Sequence, residues 1–189
     1  MMARRSLSMM LVALGLALVV LETRAGQVLV PDQSEIAFAG KQMGVPAEGR
    51  FQKFAVDAVL DPAAIEKSRA RIVIDMNSIA LSASDLTTEV KRKRWFDTAA
   101  FPEATFEAKQ FRALGGGRYE IGGTLALKGV SREIIAPLTI GAEGQDLIAA
   151  GQFEIKRLDF NVGDGPWADT DTVANEVLVR FKLRLKPQP

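Results

Sequence analysis

Residues 176–185 read EVLVRFKLRL, and their pattern sets the fold class of the chain. Apolar and charged side chains alternate with a period of two, which is the period of a β-strand and not of a helix. One face carries Val177, Val179, Phe181, Leu183 and Leu185, and the other carries Glu176, Arg180, Lys182 and Arg184. This stretch therefore predicts a half-buried strand of an antiparallel sheet.

The same alternation recurs along most of the chain after Ser34. It is clear in RYEIGGTLAL (118–127), where Tyr119 and Ile121 share one side, and again around residues 134–140. Two glycine-bearing segments between strands, LGGGR (114–118) and KGVSR (128–132), have hairpin spacing. Further predicted strands are Glu35–Ala39, Arg50–Leu60, Arg69–Asp75, Ala104–Ala113 and Ile148–Phe160. About eight antiparallel strands are therefore predicted.

Two segments interrupt the alternation. DPAAIEKS (61–68) predicts a short helical turn, with Asp61 as a cap and Pro62 as the first helical residue. SDLTTEVKRKRWF (84–96) predicts an amphipathic helix, with Leu86 and Val90 at helical spacing. Many strands in one domain favour closure, because a closed barrel has no exposed edge. The predicted fold is all-β: an antiparallel eight-stranded barrel with one inserted amphipathic helix and a short helical turn.

The first 25 residues have the composition of a secretory signal peptide. They place Arg4 and Arg5 before an apolar run from Met9 to Leu21, and they end in small residues. The run is shorter than the ~20 residues of a bilayer-spanning helix. We expect cleavage after Ala25, one domain over residues 26–189, and a periplasmic location. Without cysteine, no disulfide can stabilise the exported chain.

The residue types that are missing exclude several functions. The chain has no histidine and no cysteine, so it lacks the commonest general base, the thiol nucleophile and the preferred zinc ligands. Asp164, Asp169 and Asp171 lie close in sequence but lack the closing glutamate of a calcium loop. The 24 basic and 23 acidic residues produce no overall field that would attract nucleic acid. We expect no enzyme activity, no metal, no cofactor and no nucleic-acid partner.

Four segments then occur in a recognisable order: SEIAFAGKQMGVPAEGRFQKFAVDAVLDP (34–62), WFDTAAFPEATFEAKQF (95–111), YEIGGTLALKGVSREIIAPLTI (119–140) and FEIKRLDFNVGDGPWADTDTVANEVLVRFKLRL (153–185). Together they resemble the YceI-like family over nearly the whole chain after residue 25. The resemblance implies an extended lipocalin-like barrel in an exported bacterial protein that binds polyisoprenoid lipid. Glu89 stands where many family members carry a histidine, so no role that needs an imidazole is transferred.

Three groups of functional residues follow from the alternation and the resemblance. Contact with a lipid tail is expected from Phe54, Phe106, Tyr119, Ile121 and Phe153. Closure of the barrel ends is expected from Trp95, Phe96, Phe101 and Trp167. Attraction of an anionic head group, with transient contact to a membrane surface, is expected from Lys91, Arg92 and Arg94. The same cations would also suit a solvated helix end, where they complement the helix dipole.

Two other interpretations stay open at this point. One is an accessory of membrane electron transport that handles a prenylated quinone, and the other is a filled barrel that acts through protein–protein contacts. The predicted inward faces mix large and small residues, such as Phe106 with Ala108 and Ile121 with Gly123. Small residues between large ones leave room for a chain, which favours a hollow interior. The length of the lipid and the oligomeric state stay open.

Overall fold

The computed structural model describes residues 26–188. The predicted signal peptide, residues 1–25, lies outside the described residues. The described chain forms eleven strands, one α-helix and several short 3-10 turns. The elements are β1 (Gln27–Leu29), β2 (Glu35–Gln42), β3 (Val45–Phe51), β4 (Phe54–Val59), β5 (Arg69–Asp75), β6 (Ile79–Leu81), α1 (Ser84–Val90), β7 (Glu103–Gly115), β8 (Arg118–Leu127), β9 (Val130–Glu143), β10 (Asp146–Lys156) and β11 (Glu176–Pro187).

Eight strands close into an antiparallel barrel. β4, β5, β7, β8, β9, β10 and β11 pair in that order, and β1 pairs with both β4 and β11. Gln27 in β1 lies opposite Ala58 on one side and Pro187 on the other. Its side-chain amide extends the pairing, because it donates to the Leu60 carbonyl at 3.1 Å and accepts from the Leu60 N–H at 2.8 Å. The predicted all-β, eight-stranded barrel is confirmed.

The remaining strands, β2, β3 and β6, extend the sheet beyond the ring. β2 pairs with β11 and β3, and β3 pairs with β6. The predicted single strand Arg50–Leu60 is wrong, because the chain bends at Gln52 and Lys53 between β3 and β4. Hydrogen bonds hold the bend: the Lys53 N–H donates to the Ser78 hydroxyl at 3.0 Å, and its carbonyl accepts from the Asp75 N–H at 3.0 Å.

Helix α1 is shorter than predicted. It ends at Val90, so the prediction of a helix over residues 84–96 is wrong beyond that residue. Lys91 is the C-cap, and the chain then turns back so that the Phe96 N–H donates to the Val90 carbonyl at 3.0 Å. Asp97 completes the turn in the left-handed region, with φ at 48°. The apolar stripe of the helix stops at Val90, and the turn returns the following aromatic residues to the barrel.

Two other boundaries differ from prediction. The helix start predicted at Asp61 and Pro62 is wrong, because the 3-10 turn covers Ile65–Lys67 and its N-cap is Ala64. The Asp61 carboxylate instead accepts from the Ala63 N–H at 3.1 Å in a local turn. The strand predicted to run to residue 160 ends at Lys156, because Arg157–Phe160 forms another 3-10 turn. Both differences arise from hydrogen bonds that hydrophobic periodicity does not report.

Both predicted hairpins are present. Gly116 and Gly117 connect β7 to β8 with φ values of 62° and 72°. Lys128 and Gly129 connect β8 to β9 with φ values of 48° and 74°. Two consecutive positive φ angles are typical of the tight turns that match the twist of antiparallel strands.

A β-bulge redirects the inward face of β7. The pairing of β7 with β8 slips by one residue between Ala108 and Gln110. Phe106 faces the interior before the slip, and Phe111 faces it afterwards. The alternation therefore changes phase at the bulge: even-numbered residues face inward before it, and odd-numbered residues face inward directly after it.

One end of the barrel is covered by irregular chain. We call it the capped end; it consists of α1, residues 91–102 and the covering segment, residues 157–175. These parts are joined because the Gly163 and Asp164 N–H groups donate to the Arg94 carbonyl at 2.8 and 3.0 Å. No helix within residues 26–188 combines the length and apolarity needed to cross a membrane.

The Gln27 amide should contribute measurably to barrel closure. Gln27→Ala removes two hydrogen bonds and leaves the Leu60 backbone unpaired, so the free energy of unfolding should fall by about 1–3 kcal/mol in urea denaturation. Gln33→Ala, at an exposed glutamine in a turn, should change it by less than about 0.5 kcal/mol. Equal effects of the two variants would show that the amide does not stabilise the closed ring.

Candidate functional site

The barrel encloses an apolar cavity of about 260 Å³. It extends from Ala58 and Leu185, beside β1, to Trp95 and Trp167 at the capped end. One water needs about 10–15 Å³ and at least two polar partners, so the space is ample for water but offers it few hydrogen bonds. Much of the wall consists of apolar side chains, among them Ile36, Val56, Ile72, Ile74, Leu125, Leu138, Ile155, Val177 and Val179. Such a cavity suits an apolar ligand.

Three phenylalanine rings on the wall lie over glycines of neighbouring strands. A Cβ added at Gly123 or at Gly151 would lie 2.7 Å from a ring carbon, which is closer than real Cβ atoms come. The pairs are Phe38 with Gly49, Phe106 with Gly123 and Phe181 with Gly151. The rings therefore rest against the sheet and leave the barrel axis open. Gly123 does not make room for a ligand directly, as the sequence suggested, because the Phe106 ring fills that space.

Polar side chains of the wall gather at the capped end. Lys41 and Gln42 end β2, where the Lys41 carbonyl accepts from the Ala174 N–H at 2.9 Å. Glu89 lies on α1, and Arg157 begins the covering segment. The cavity therefore has a polar end and a long apolar remainder, which would orient a ligand that has one polar terminus.

Arg157 organises the covering segment. Its side chain is 3% exposed, and all five of its N–H groups donate to backbone carbonyls. The acceptors are Val162, Gly163, Trp167, Val173 and Ala174, at 2.7–3.0 Å. Within residues 26–188 no carboxylate forms an ion pair with this guanidinium. Burial lowers the pKa of Arg157, because desolvation disfavours its charged form.

A second local arrangement orders the same segment. The Asp169 carboxylate accepts from the Thr172 hydroxyl at 2.7 Å and from the Asp171 N–H at 3.0 Å. These hydrogen bonds lower the pKa of Asp169, the Thr172 bond most of all. The contribution of these hydrogen bonds to the stability of the fold is therefore present at neutral pH, and it is lost as the pH falls through the lowered pKa of Asp169. This cluster is a turn of the backbone, as the mixture of Asp and Thr indicates.

The residues predicted to contact a lipid tail divide into two groups. Phe106, Ile121 and Phe153 line the cavity. Phe54 and Tyr119 do not line it; both pack in the apolar core of the barrel, where Tyr119 is 9% exposed. The alternation placed them on the inward faces without showing which inward residues reach the cavity.

The residues predicted to close the barrel lie at the capped end. Trp95, Phe96 and Trp167 line the cavity, and the rings of Trp95 and Trp167 are 5.4 Å apart between centroids. Phe101 does not line the cavity. Its ring lies over the β8–β9 turn, where a Cβ on Gly129 would approach it to 2.8 Å.

The cations predicted to attract a head group lie outside the cavity wall. Arg92 pairs with Glu89 at 2.9 Å, and Arg94 approaches Asp164 at 3.8 Å. Lys91 is the residue that caps α1. Two of the three are therefore already paired with carboxylates of the capped end.

Arg157 and the two wall residues Phe38 and Phe181 were not predicted as residues of the site. Arg157 stands where the alternation of β10 ends, which gives no sign that the side chain is buried. Phe38 and Phe181 do alternate correctly, but their glycine partners lie on other strands, so the pairs become visible only once the register is known.

A family model described as the YceI-like domain matches residues 28–185. This chain belongs to the YceI-like family. BcnA of Burkholderia cenocepacia has a similar structure, with a TM-score of 0.81 and 36% identity over 82% of this chain and 98% of that one. A YceI protein of Campylobacter jejuni shares the fold at 20% identity, with a TM-score of 0.69 over 75% of this chain and 85% of that one.

Three further comparisons extend the YceI-like relationship. A domain of Saccharophagus degradans, described as polyisoprenoid-binding and implicated in plant cell wall breakdown, has a TM-score of 0.68 at 20% identity, over 87% of this chain and all (100%) of that one. A UPF0312 protein of Yersinia pestis is 26% identical over 166 residues, 79% of this chain and 85% of the relative. One from Vibrio vulnificus is 30% identical over 105 residues, 56% of this chain. The match spans about half the length of such Vibrio relatives, 49% and 52%.

Adding a methyl group at Gly49 should narrow the cavity of this YceI-like protein. In Gly49→Ala the added methyl group would overlap the Phe38 ring, which supplies its three nearest atoms, so this ring of the cavity wall would have to shift. We expect the affinity for an apolar dye such as N-phenylnaphthylamine to fall at least about threefold, with a stability loss of about 1–3 kcal/mol. Gly141→Ala is the control, because a Cβ there meets nothing within 4 Å. Unchanged dye binding in Gly49→Ala would show that the Phe38–Gly49 pair does not keep the cavity open.

Removing the Arg157 guanidinium should destabilise the covering segment. Arg157→Met leaves five backbone carbonyls without their donor, so unfolding should become easier by about 3 kcal/mol or more, with faster proteolysis between residues 162 and 174. Arg180→Met removes an exposed arginine that pairs with Glu48 at 3.1 Å, and it should cost less than about 1 kcal/mol. Similar stability and proteolysis in the two variants would contradict the central role of Arg157.

Proposed function

We propose that this protein binds a polyisoprenoid, or a similar long branched hydrocarbon chain, inside its barrel and carries it outside the cytoplasm. The observation that carries the proposal is the apolar cavity of about 260 Å³ that runs from β1 to the capped end. A filled barrel that acts through protein contacts would have no use for such a space. The description of the Saccharophagus domain as polyisoprenoid-binding supports the same ligand class.

The energetics of this binding need no catalytic group. Burial of apolar chain contributes about 0.8 kcal/mol for each methylene-sized group, so several isoprene units provide ample affinity. The Phe106, Ile121 and Phe153 side chains offer contact area along the wall. The function we infer is therefore binding and transfer of a lipid, with no chemical conversion.

The sequence supports a site of action outside the cytoplasm. The arginines and apolar run of residues 1–25 favour export, and we propose the periplasm as the location. There the protein would shield the apolar chain from water while the lipid moves between membranes or between enzymes. A prenylated quinone would fit the same cavity with a different polar terminus, so the identity of the terminus separates a quinone carrier from a carrier of other isoprenoids.

Extraction of the native protein tests this function. The full-length chain is expressed with its own leader, purified from the periplasm without detergent, extracted with organic solvent and analysed by mass spectrometry. We expect about one isoprenoid chain per protein molecule, with the terminus identified from its mass. An extract without lipid, from protein that also fails to take up added isoprenoid, would overturn the proposal.

Truncation of wall residues should reduce the bound lipid. Phe106→Ala and Phe153→Ala remove contact area, so the retained lipid should fall at least about threefold while the fold persists, as checked by circular dichroism. Ile135→Ala is the matched control, because Ile135 points outward and is 67% exposed. If the lipid content of all three variants equals that of the wild type, the phenylalanines do not contact the ligand.

A further inference from the structure

We propose that Trp95 is the polar anchor of the bound chain: its indole N–H donates a hydrogen bond to a neutral oxygen at the terminus of the ligand. The inference rests on the proposed function and names the part of the ligand that binds at the capped end. Trp95 lines the cavity, and its Nε1 is buried with no hydrogen-bond partner within the residues the structure describes. A buried N–H without an acceptor is costly, and native proteins retain few of them.

The surroundings of Trp95 explain why its N–H finds no acceptor in the protein. The ring is held by Trp167 at 5.4 Å, by the Arg157 guanidinium at 5.9 Å and by Gly163, where a Cβ would lie 3.0 Å from it. These contacts restrict rotation of the indole toward solvent. The Gly163 and Trp167 carbonyls beside it already accept from Arg157. The donor is therefore fixed in place beside the cavity while neighbouring acceptors are engaged elsewhere.

The charges at the capped end favour a neutral oxygen over a phosphate. A phosphate in an apolar cavity needs several donors or cations, whereas one indole N–H suits a single carbonyl or hydroxyl oxygen. Every N–H of Arg157 is already used by the backbone. Arg92 pairs with Glu89, and Arg94 and Lys128 share Asp164. Within residues 26–188, Lys41, an exposed residue, is the remaining cation of the wall, and Lys91 and Lys93 do not line it.

Two branched-chain molecules that differ at one position test this anchor. Phytone is a branched methyl ketone, and pristane has a methyl group in place of the ketone oxygen. The affinity of the wild-type protein for each of these two ligands is measured by displacement of a bound dye. Trp95→Phe keeps an aromatic ring but removes the N–H, so phytone affinity should fall about fivefold while pristane affinity changes less than about twofold. Trp167→Phe is the control and should affect both ligands alike.

A spectroscopic readout keeps the test independent of folding defects in the variants. The chain has two tryptophans, so Trp95→Phe assigns the indole N–H signals in a ¹⁵N-labelled wild-type sample. We expect phytone to shift the Trp95 signal downfield and to slow its exchange with water, and pristane to do neither. Equal shifts from the two ligands, or equal affinity losses in Trp95→Phe, would overturn the anchor while leaving the cavity function intact. Failure of both ligands to bind wild-type protein would instead contradict the proposed function.

Discussion

The hollow interior depends on where the phenylalanine rings can lie. A ring that projects from a barrel wall normally fills the centre, and it can rest against the neighbouring strand only where that strand has no Cβ. Gly49, Gly123 and Gly151 supply these places under Phe38, Phe106 and Phe181. At ~24 cal/mol per Å³, an empty space of this size costs on the order of 6 kcal/mol. That cost is comparable with the whole stability of a typical domain, and a bound chain would offset it.

The capped end solves a different problem, which is how irregular backbone can cover a barrel without leaving its polar groups unsatisfied. Buried carbonyls need donors, and no strand supplies them within most of residues 157–175. Arg157 supplies five N–H groups from one side chain. A lysine or a neutral residue could not replace them, because neither has a fork of fixed donors. The buried charge is tolerated because carbonyl dipoles surround it, although no carboxylate of the described residues 26–188 pairs with it.

Much of the fold could be predicted from the sequence because antiparallel strands with one wet face leave a period of two. Residues 69–75 and 118–127 were bounded correctly, and the turn at Gly129 was identified from its chemistry. The errors occurred where tertiary hydrogen bonds override the local pattern, at the Lys53 bend and at the end of α1. The site was harder to predict, because alternation assigns Phe54 and Phe106 to the same inward face while only contacts across the barrel show that Phe106 reaches the cavity.

The closing strand has a consequence for how the chain reaches its native state. β1 pairs residue 27 with residue 187, so the ring is sealed only when these two distant parts of the sequence meet. Pairings between distant parts of a sequence form slowly, because a large loop must be ordered before they contribute. We therefore expect the seam between β1 and β11 to close late in folding, which leaves the barrel interior accessible along this seam until then.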